Sequence, residues 1–264
     1  MQLFDSHCHL DDRSYQTDFH QVLNRARDAG VIKIMTIGVN IRSSRIAVAL
    51  AEAHPEIYAA VGIHPHDAKN GSDNHLDELD RLTRHAKVRA WGEVGLDFNR
   101  MFSPRRDQEQ WLIRQLELSD QLGLPVIFHE RDSNGRFSEI LRAHFRPGRQ
   151  GVVHCFSGTR KEMETYVDMG LSIGITGIVT IKGRGGPLRK IIPHIPIDRI
   201  LIETDGPYLL PTLERNKFRR NEPAFVHRVL LKLAEVRRED PAHLARKIYE
   251  NTCRVYRIET MESG

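Results

Sequence analysis

The chain has 264 residues, 40% of them hydrophobic and 28% charged, with a formal net charge of +4. That is enough apolar material for a full core and a length that suits one β/α barrel, while the mild positive excess is compatible with a phosphate-bearing substrate. No apolar run approaches the ~20 residues of a membrane span, the start Met1-Gln2-Leu3-Phe4-Asp5-Ser6 lacks the pattern of a secretory leader, and three scattered cysteines, Cys8, Cys155 and Cys253, exclude a disulfide framework, so the cytoplasm is the default compartment.

Short apolar, β-rich runs alternate with longer amphipathic ones. The first run is Gln2–Ser6. Asp18–Ala29 follows as a helix, with Phe19, Val22, Leu23, Ala26 and Ala29 at spacings of three and four and Gly30 as its stop. Ile32–Gly38 predicts the second strand, and Ser43–Ala53 the second helix, with Ile46, Ala49, Leu50 and Ala53 on one face. Further strands are predicted at Ile57–Gly62, Val88–Gly92, Pro125–Phe128, Gly151–Val153, Leu171–Gly174 and Ile200–Ile202. Helices are predicted between them at about 74–86, 104–122, 134–145, 159–169 and 185–193, and after them at about 222–237 and 241–256. Several strands lack polar alternation, as strands buried on both faces do. Eight strand–helix repeats without a linker predict a single (β/α)8 TIM-type barrel, one domain over residues 1–264, with disorder expected only at Glu259 to Gly264. An open doubly wound sheet would carry a Gly-rich phosphate turn after strand 1, where this chain has His7-Cys8-His9.

Polar residues gather at the strand ends. Strand 1 runs into His7-Cys8-His9, strand 3 into His64-Pro65-His66, strand 4 into Glu93-Val94-Gly95-Leu96-Asp97, strand 5 into His129-Glu130-Arg131, strand 6 into His154-Cys155 and strand 8 into Glu203-Thr204-Asp205. In a β/α barrel these ends share one mouth. His7, His9, Glu93, His129, His154 and Asp205 are therefore expected to meet there, an imidazole and carboxylate set suited to zinc, manganese and similar ions. Burying so many ionisable groups without a cation would be costly. His7 and His9, two apart in an extended strand, point to one side, and Cys8 between them points into packing. His20, His54, His75, His85, His144, His194, His227 and His243 fall on helices or loops and read as ordinary hydrogen-bonded residues.

With these motifs in view, the chain resembles the TatD family of metal-dependent deoxyribonucleases, within the wider amidohydrolase-like barrels. The resemblance runs from Phe4-Asp5-Ser6-His7-Cys8-His9-Leu10 through Val61-Gly62-Ile63-His64-Pro65-His66, Gly92-Glu93-Val94-Gly95-Leu96-Asp97-Phe98, His129-Glu130-Arg131-Asp132 and His154-Cys155-Phe156-Ser157-Gly158-Thr159. It continues through Glu203-Thr204-Asp205-Gly206-Pro207-Tyr208-Leu209 and Arg219-Arg220-Asn221-Glu222-Pro223. It implies one divalent metal on His7, His9 and Asp205, a second on His129 and His154, and Glu93 bridging them where many relatives use a carbamylated lysine. The metals could be Mg²⁺, Mn²⁺ or Zn²⁺. Gly206 stands where alanine is more usual and Glu130 where cysteine is common. The segment Gly95-Leu96-Asp97-Phe98-Asn99-Arg100, with Leu209-Leu210-Pro211, most resembles the branch of TatD proper, and this chain keeps the first His-x-His pair that some members of that branch lack.

The implied chemistry is in-line attack on a phosphodiester by a metal-activated water, with Asp205 orienting or deprotonating it. His64 is a candidate to contact the scissile phosphate or protonate the leaving oxygen, or else to orient Glu93. Arg131 is a candidate phosphate contact, and Glu203 either supports a ligand or is a buried barrel carboxylate. Lys182, Arg184, Arg189 and Lys190, with Arg215, Lys217, Arg219 and Arg220, form basic loops after strands 7 and 8 that could track a nucleic-acid backbone. Phe98, Phe102, Phe156 and Tyr208 are candidates to stack on unpaired bases, Phe156 being more readily a core residue. The expected activity is a 3′–5′ exonuclease on single-stranded DNA or RNA, acting as a monomer. The alternatives are an amide or ester hydrolase on the same barrel, such as a deacylase on tRNA, and a non-catalytic binding protein, against which the intact ligand set argues.

Overall fold

The computed structural model describes residues 1–260. Among them, eight parallel strands pair in sequence order. They are β1 (Leu3–Cys8), β2 (Val31–Ile37), β3 (Ile57–Val61), β4 (Val88–Asp97), β5 (Val126–Arg131), β6 (Gly151–Val153), β7 (Ser172–Ile175) and β8 (Ile200–Ile202). Each is followed by a helix: α1 (Phe19–Asp28), α2 (Ile41–Ala53), α3 (Asp73–Leu82), α4 (Arg105–Leu122), α5 (Arg136–His144), α6 (Arg160–Asp168), α7 (Gly186–Ile191) and α8 (Val226–Arg237), with α9 (Pro241–Tyr256) added at the end. The ring closes just beyond β8, where the Asp205 amide donates to His7 O at 2.9 Å and the His9 amide to Gly206 O at 2.7 Å. This is the expected (β/α)8 barrel. No helix among the described residues is long and apolar enough to cross a membrane.

The helix starts follow local chemistry. Asn40 and Thr159 each accept from the backbone three residues on, and Ser43 and Glu162 return the bond, so α2 and α6 begin with capping boxes. Phe4, Met35, Ile37, Ala60, Ala90, Ile127, Val152 and Leu201 form a buried apolar plug inside the barrel, with Tyr249, Cys253 and Tyr256 of α9 packed on it. A second apolar layer joins the strands to the surrounding helices.

Three strands run two or more residues further than the sequence suggests: β1 to Cys8, β4 to Asp97 and β5 to Arg131. Glycines that read as a strand end are what let β4 continue. Gly92 and Gly95 have φ of +148° and +154°, and a Cβ at Gly95 would sit 1.8 Å from His129 O. The pairing slips between Asp5 and Cys8 in β1 and between Trp91 and Val94 in β4. Such bulges re-aim side chains, and these two fall at His7 and Glu93. Helix α3 stops at Leu82, short of 86, because Thr83 turns back onto Asp80. Of the Glu259–Gly264 stretch expected to be disordered, residues 261–264 lie outside the described residues. Glu259 is held, its carbonyl accepting from Lys33 Nζ at 2.7 Å.

Candidate active site

The carboxyl ends of the strands enclose a cleft of about 540 Å³ whose lining includes His9, His64, Glu93, His129, His154 and Asp205. His7 lies fully buried directly beneath. Glu93, on the re-aimed part of β4, is the hub. Its Oε2 faces His7 Nε2 at 3.3 Å and His9 Nε2 at 3.9 Å. Its Oε1 faces His129 Nδ1 at 2.7 Å, His64 Nε2 at 3.5 Å and His154 Nε2 at 3.9 Å. Asp205 has φ of +55°, a left-handed conformation that non-glycine residues keep mainly where the surroundings demand it. Its Oδ1 stands 3.3 Å from His9 Nε2, 3.6 Å from His154 Nε2 and 3.7 Å from His7 Nε2. The rings of His7 and His154 stack at 3.5 Å. Three sets of donor atoms are close enough to share a cation: His7 with His9 and Glu93, His7 with His154 and Asp205, and His64 with His66 and His129.

Charge explains why a cation fits. Glu93, Asp97 and Glu203 are buried and Asp205 nearly so, and among the described residues every ion-pair partner of the four is a histidine. Their negative charge must be met by protons on those imidazoles or by a metal. Burial alone would lower His154, but Glu203, Glu93 and Asp205 together push it up to about 10. His129 is likewise carried against burial to about 9 by hydrogen bonds to Asp97 and Glu93. Burial raises Glu93, yet the surrounding histidines hold it well below the usual carboxylate range, and the same balance lowers Asp205. His64 goes the other way, down to about 4, because burial and the neighbouring His129 outweigh Glu93. His7 Nδ1 is buried with no hydrogen-bond partner among the described residues. Imidazole nitrogens and carboxylate oxygens converging in a cationic deficit are a donor set for a divalent metal.

The remaining sequence candidates divide. Glu203 is fully buried beneath the cleft, 2.8 Å from His154 Nδ1, and accepts from the Cys155 amide at 2.6 Å and Ser6 Oγ at 3.3 Å. It contacts His154 and does not line the cleft. Cys8 is buried in the barrel–helix layer, and Cys155 packs against that layer. Arg131 lines the cleft together with Arg100. His64 Nδ1 accepts from the His66 amide at 3.0 Å, leaving Nε2 toward Glu93 and His129. Phe102 and Tyr208 also line the cleft and are each 55% exposed, Phe102 against His66 and Tyr208 against His9, so they stand on opposite sides of it. Phe156 is buried and the Phe98 ring is covered by Arg105. The basic loops are not uniform. Arg189 is spent on the carbonyls of Val179, Ile181 and Lys182, and Arg220 on Asp18 and the Tyr15 ring, whereas Lys182, Arg184, Lys190, Arg215, Lys217 and Arg219 are exposed.

Sequence reasoning did not single out two residues. His66 Nε2 lies 2.7 Å from Asp97 Oδ2, which also lies 3.3 Å from His129 Nε2. The signal was present: His64 and His66 repeat the His7–His9 spacing. Asp97 sits four residues after Glu93, on a strand read as ending at Gly92.

A parallel barrel with this donor set at its carboxyl-terminal mouth is the architecture of a metal-dependent hydrolase. A family model described as TatD-related DNase matches residues 4–257. The "3′-5′ ssDNA/RNA exonuclease TatD" of Pectobacterium atrosepticum is 41% identical over 259 residues, covering 97% of this chain and 100% of that protein. The crystal structure of YJJV, a TatD homolog from Escherichia coli, superposes with a TM-score of 0.89 at 34% identity, covering 97% of this chain and 98% of that one. An amidohydrolase from Saccharomyces cerevisiae reaches a TM-score of 0.87 at 21% identity, over 97% of this chain and 100% of that one, a likeness of fold alone. The chain belongs to the TatD-related DNase family, and the class expected from its sequence, a metal-dependent hydrolytic nuclease, is the class of that family.

Proposed function

We propose that this protein is a 3′–5′ exonuclease on single-stranded DNA or RNA, working in the cytoplasm as a monomer with one catalytic domain and two divalent cations. The relatives' activity supports the reaction. The observation that supports the two-cation reading is the partition around Glu93, with His7 and His9 on one carboxylate oxygen and His129, His64 and His154 on the other. In this reading His7, His9 and Asp205 would hold one cation and His129 and His154 the second, with Glu93 contributing to both. Nitrogen donors favour Zn²⁺ or Mn²⁺, and Mg²⁺ is the oxygen-preferring alternative. When bound, the cations would supply an acidified water and neutralise phosphoryl charge.

The chain's own groups do the rest. Asp205, facing the cleft with its carboxylate ionised, accepts the proton of the attacking water. Arg131 holds the scissile phosphate from the rim. His64 is neutral and carries its proton on Nε2, so it orients Glu93 in preference to acting as a general acid. Glu203 fixes the ring of His154. Phe102 and Tyr208 offer exposed faces to unpaired bases, which a duplex end would not present.

The test is cleavage of end-labelled single-stranded and duplex DNA and RNA by metal-stripped protein with Mg²⁺, Mn²⁺ or Zn²⁺ restored, beside a Glu93→Ala/His154→Ala variant. Metal-dependent shortening from the 3′ end by the parent alone is expected. No cleavage by a folded parent that still binds two ions would overturn the reading in favour of amide or ester hydrolysis, deacylation of tRNA included.

A further inference from the structure

A second cleft is larger than the mouth. It has a volume of about 860 Å³ and lies at the opposite face of the barrel, among the amino-terminal ends of β2, β3 and β4, the end of α1 and the chain just past α9. Its apolar wall includes Leu23, Val31, Ile34 and Ile258. Its polar lining is dominated by cations: Arg27, Lys33, Arg89 and Arg257 against Glu56 and Glu259. Glu56 is engaged with Arg27 at 3.4 Å. Among the described residues no carboxylate lies within ion-pair distance of Lys33, Arg89 or Arg257. Lys33 is 7% exposed, and its Nζ has two neutral acceptors, Tyr249 Oη at 2.7 Å and Glu259 O at 2.7 Å. The Arg89 Nε is buried and has no hydrogen-bond partner among the described residues. Lys87 stands close by, its charge disfavoured by burial, favoured by Glu56, and disfavoured again by Arg89 and Lys33.

A buried guanidinium N–H without an acceptor, beside a buried ammonium without a counter-charge, is costly unless an anion answers both. We propose that this cleft is a second binding site, for a small phosphate-bearing ligand of mononucleotide size. The volume lies within the ~300–1,000 Å³ of small-molecule sites, the cations suit a dianion, and the apolar wall with Tyr58 at its edge suits a planar base. A nuclease of the proposed kind releases mononucleotides, so its own product has this chemistry; that link rests on the function proposed above, whereas the site itself does not.

Titration calorimetry on the full chain with chelator present, using uridine 5′-monophosphate, inorganic phosphate and uridine as separate probes, tests the site. The nucleotide is expected to bind, phosphate to bind more weakly and uridine least. Equal affinity for phosphate and nucleotide would make the ligand free phosphate and overturn the nucleotide-size claim. Arg89→Met and, at an exposed position that spares the fold, Arg257→Met should each weaken the nucleotide by about tenfold or more. Arg89→Met should melt no lower than the parent and Arg257→Met at the parental temperature, and both should keep the parental nuclease rate. Unchanged affinity in both, or binding lost only with Arg131→Met at the mouth, would overturn the proposal. A chain ended at Thr260 should bind as the parent does; binding seen only after that truncation would make residues 261–264 the occupant and overturn it too.

Discussion

The two faces of the barrel carry opposite electrostatic problems. At the carboxyl-terminal mouth, the ion-pair partners of Glu93, Asp97, Glu203 and Asp205 among the described residues are all histidines. At the amino-terminal face, among the described residues, Lys33 Nζ meets neutral acceptors and the buried Arg89 Nε meets none. The same strands connect them: β4 begins beside Arg89 and reaches Glu93 within its length. The difference teaches that a buried charge is informative through what fails to answer it. The mouth calls for cations and the other face for an anion, while the apolar plug between them keeps the two apart.

The comparison breaks most sharply at the hub. Glu93→Gln keeps the shape and removes the charge, and should lower kcat/KM by about 10³-fold or more with calorimetric loss of metal. Retained activity would show that the cations do not depend on this carboxylate. Glu203→Gln touches no substrate, so its effect should pass through His154. We expect roughly 10–100-fold weaker metal binding, read as a higher metal concentration for half-activity, and an unchanged midpoint would reduce Glu203 to a buried spectator. Tyr208→Leu with Phe102→Leu should raise KM about tenfold on single-stranded oligonucleotides, from base stacking of about 1–3 kcal/mol per base, with kcat kept. A substrate with an abasic terminal nucleotide should not distinguish parent from variant; if it does, the rings act on something other than the base.

The smallest effect belongs to a balanced site, which serves as the reference for both faces. The hydrogen bond from Arg220 holds the Asp18 carboxyl below its ordinary 3.8, with Arg25 adding to it against burial. A depressed folded value means stability that is present above 3.8 and lost as pH falls through the folded value. Asp18 is 32% exposed, so solvent screening keeps the pair to under about 1 kcal/mol. Arg220→Met should lower the melting temperature slightly near neutral pH, and the difference should shrink and vanish as acid protonates Asp18 in the folded state. A difference that persists in acid would assign the effect to packing on Tyr15.

Much of this was legible in the chain. Periodicity set the strand–helix alternation, and the charged residues after each apolar run set the mouth, because a parallel barrel delivers all its strand ends to one place. What was not legible depends on partners far away in sequence. Gly92 and Gly95 look like punctuation, and only the close approach of β5 turns them into the reason β4 goes on to Asp97. Arg189 and Arg220 look like their exposed neighbours, and only the folded loops show them spent on carbonyls and on Asp18. The cationic cleft draws on β2, β3, β4 and both termini of the helical shell, so no local motif announces it.

The closure of the ring has a consequence for when the enzyme exists. Cys8 and Gly206, whose pairing seals the barrel, are 198 positions apart, and the same seam brings His7 and His9 to Asp205. A growing chain on the ribosome holds the first two histidines early and waits for nearly all of its synthesis before the aspartate can join them. A half-made copy therefore lacks the closed seam, and with it the meeting of His7, His9 and Asp205.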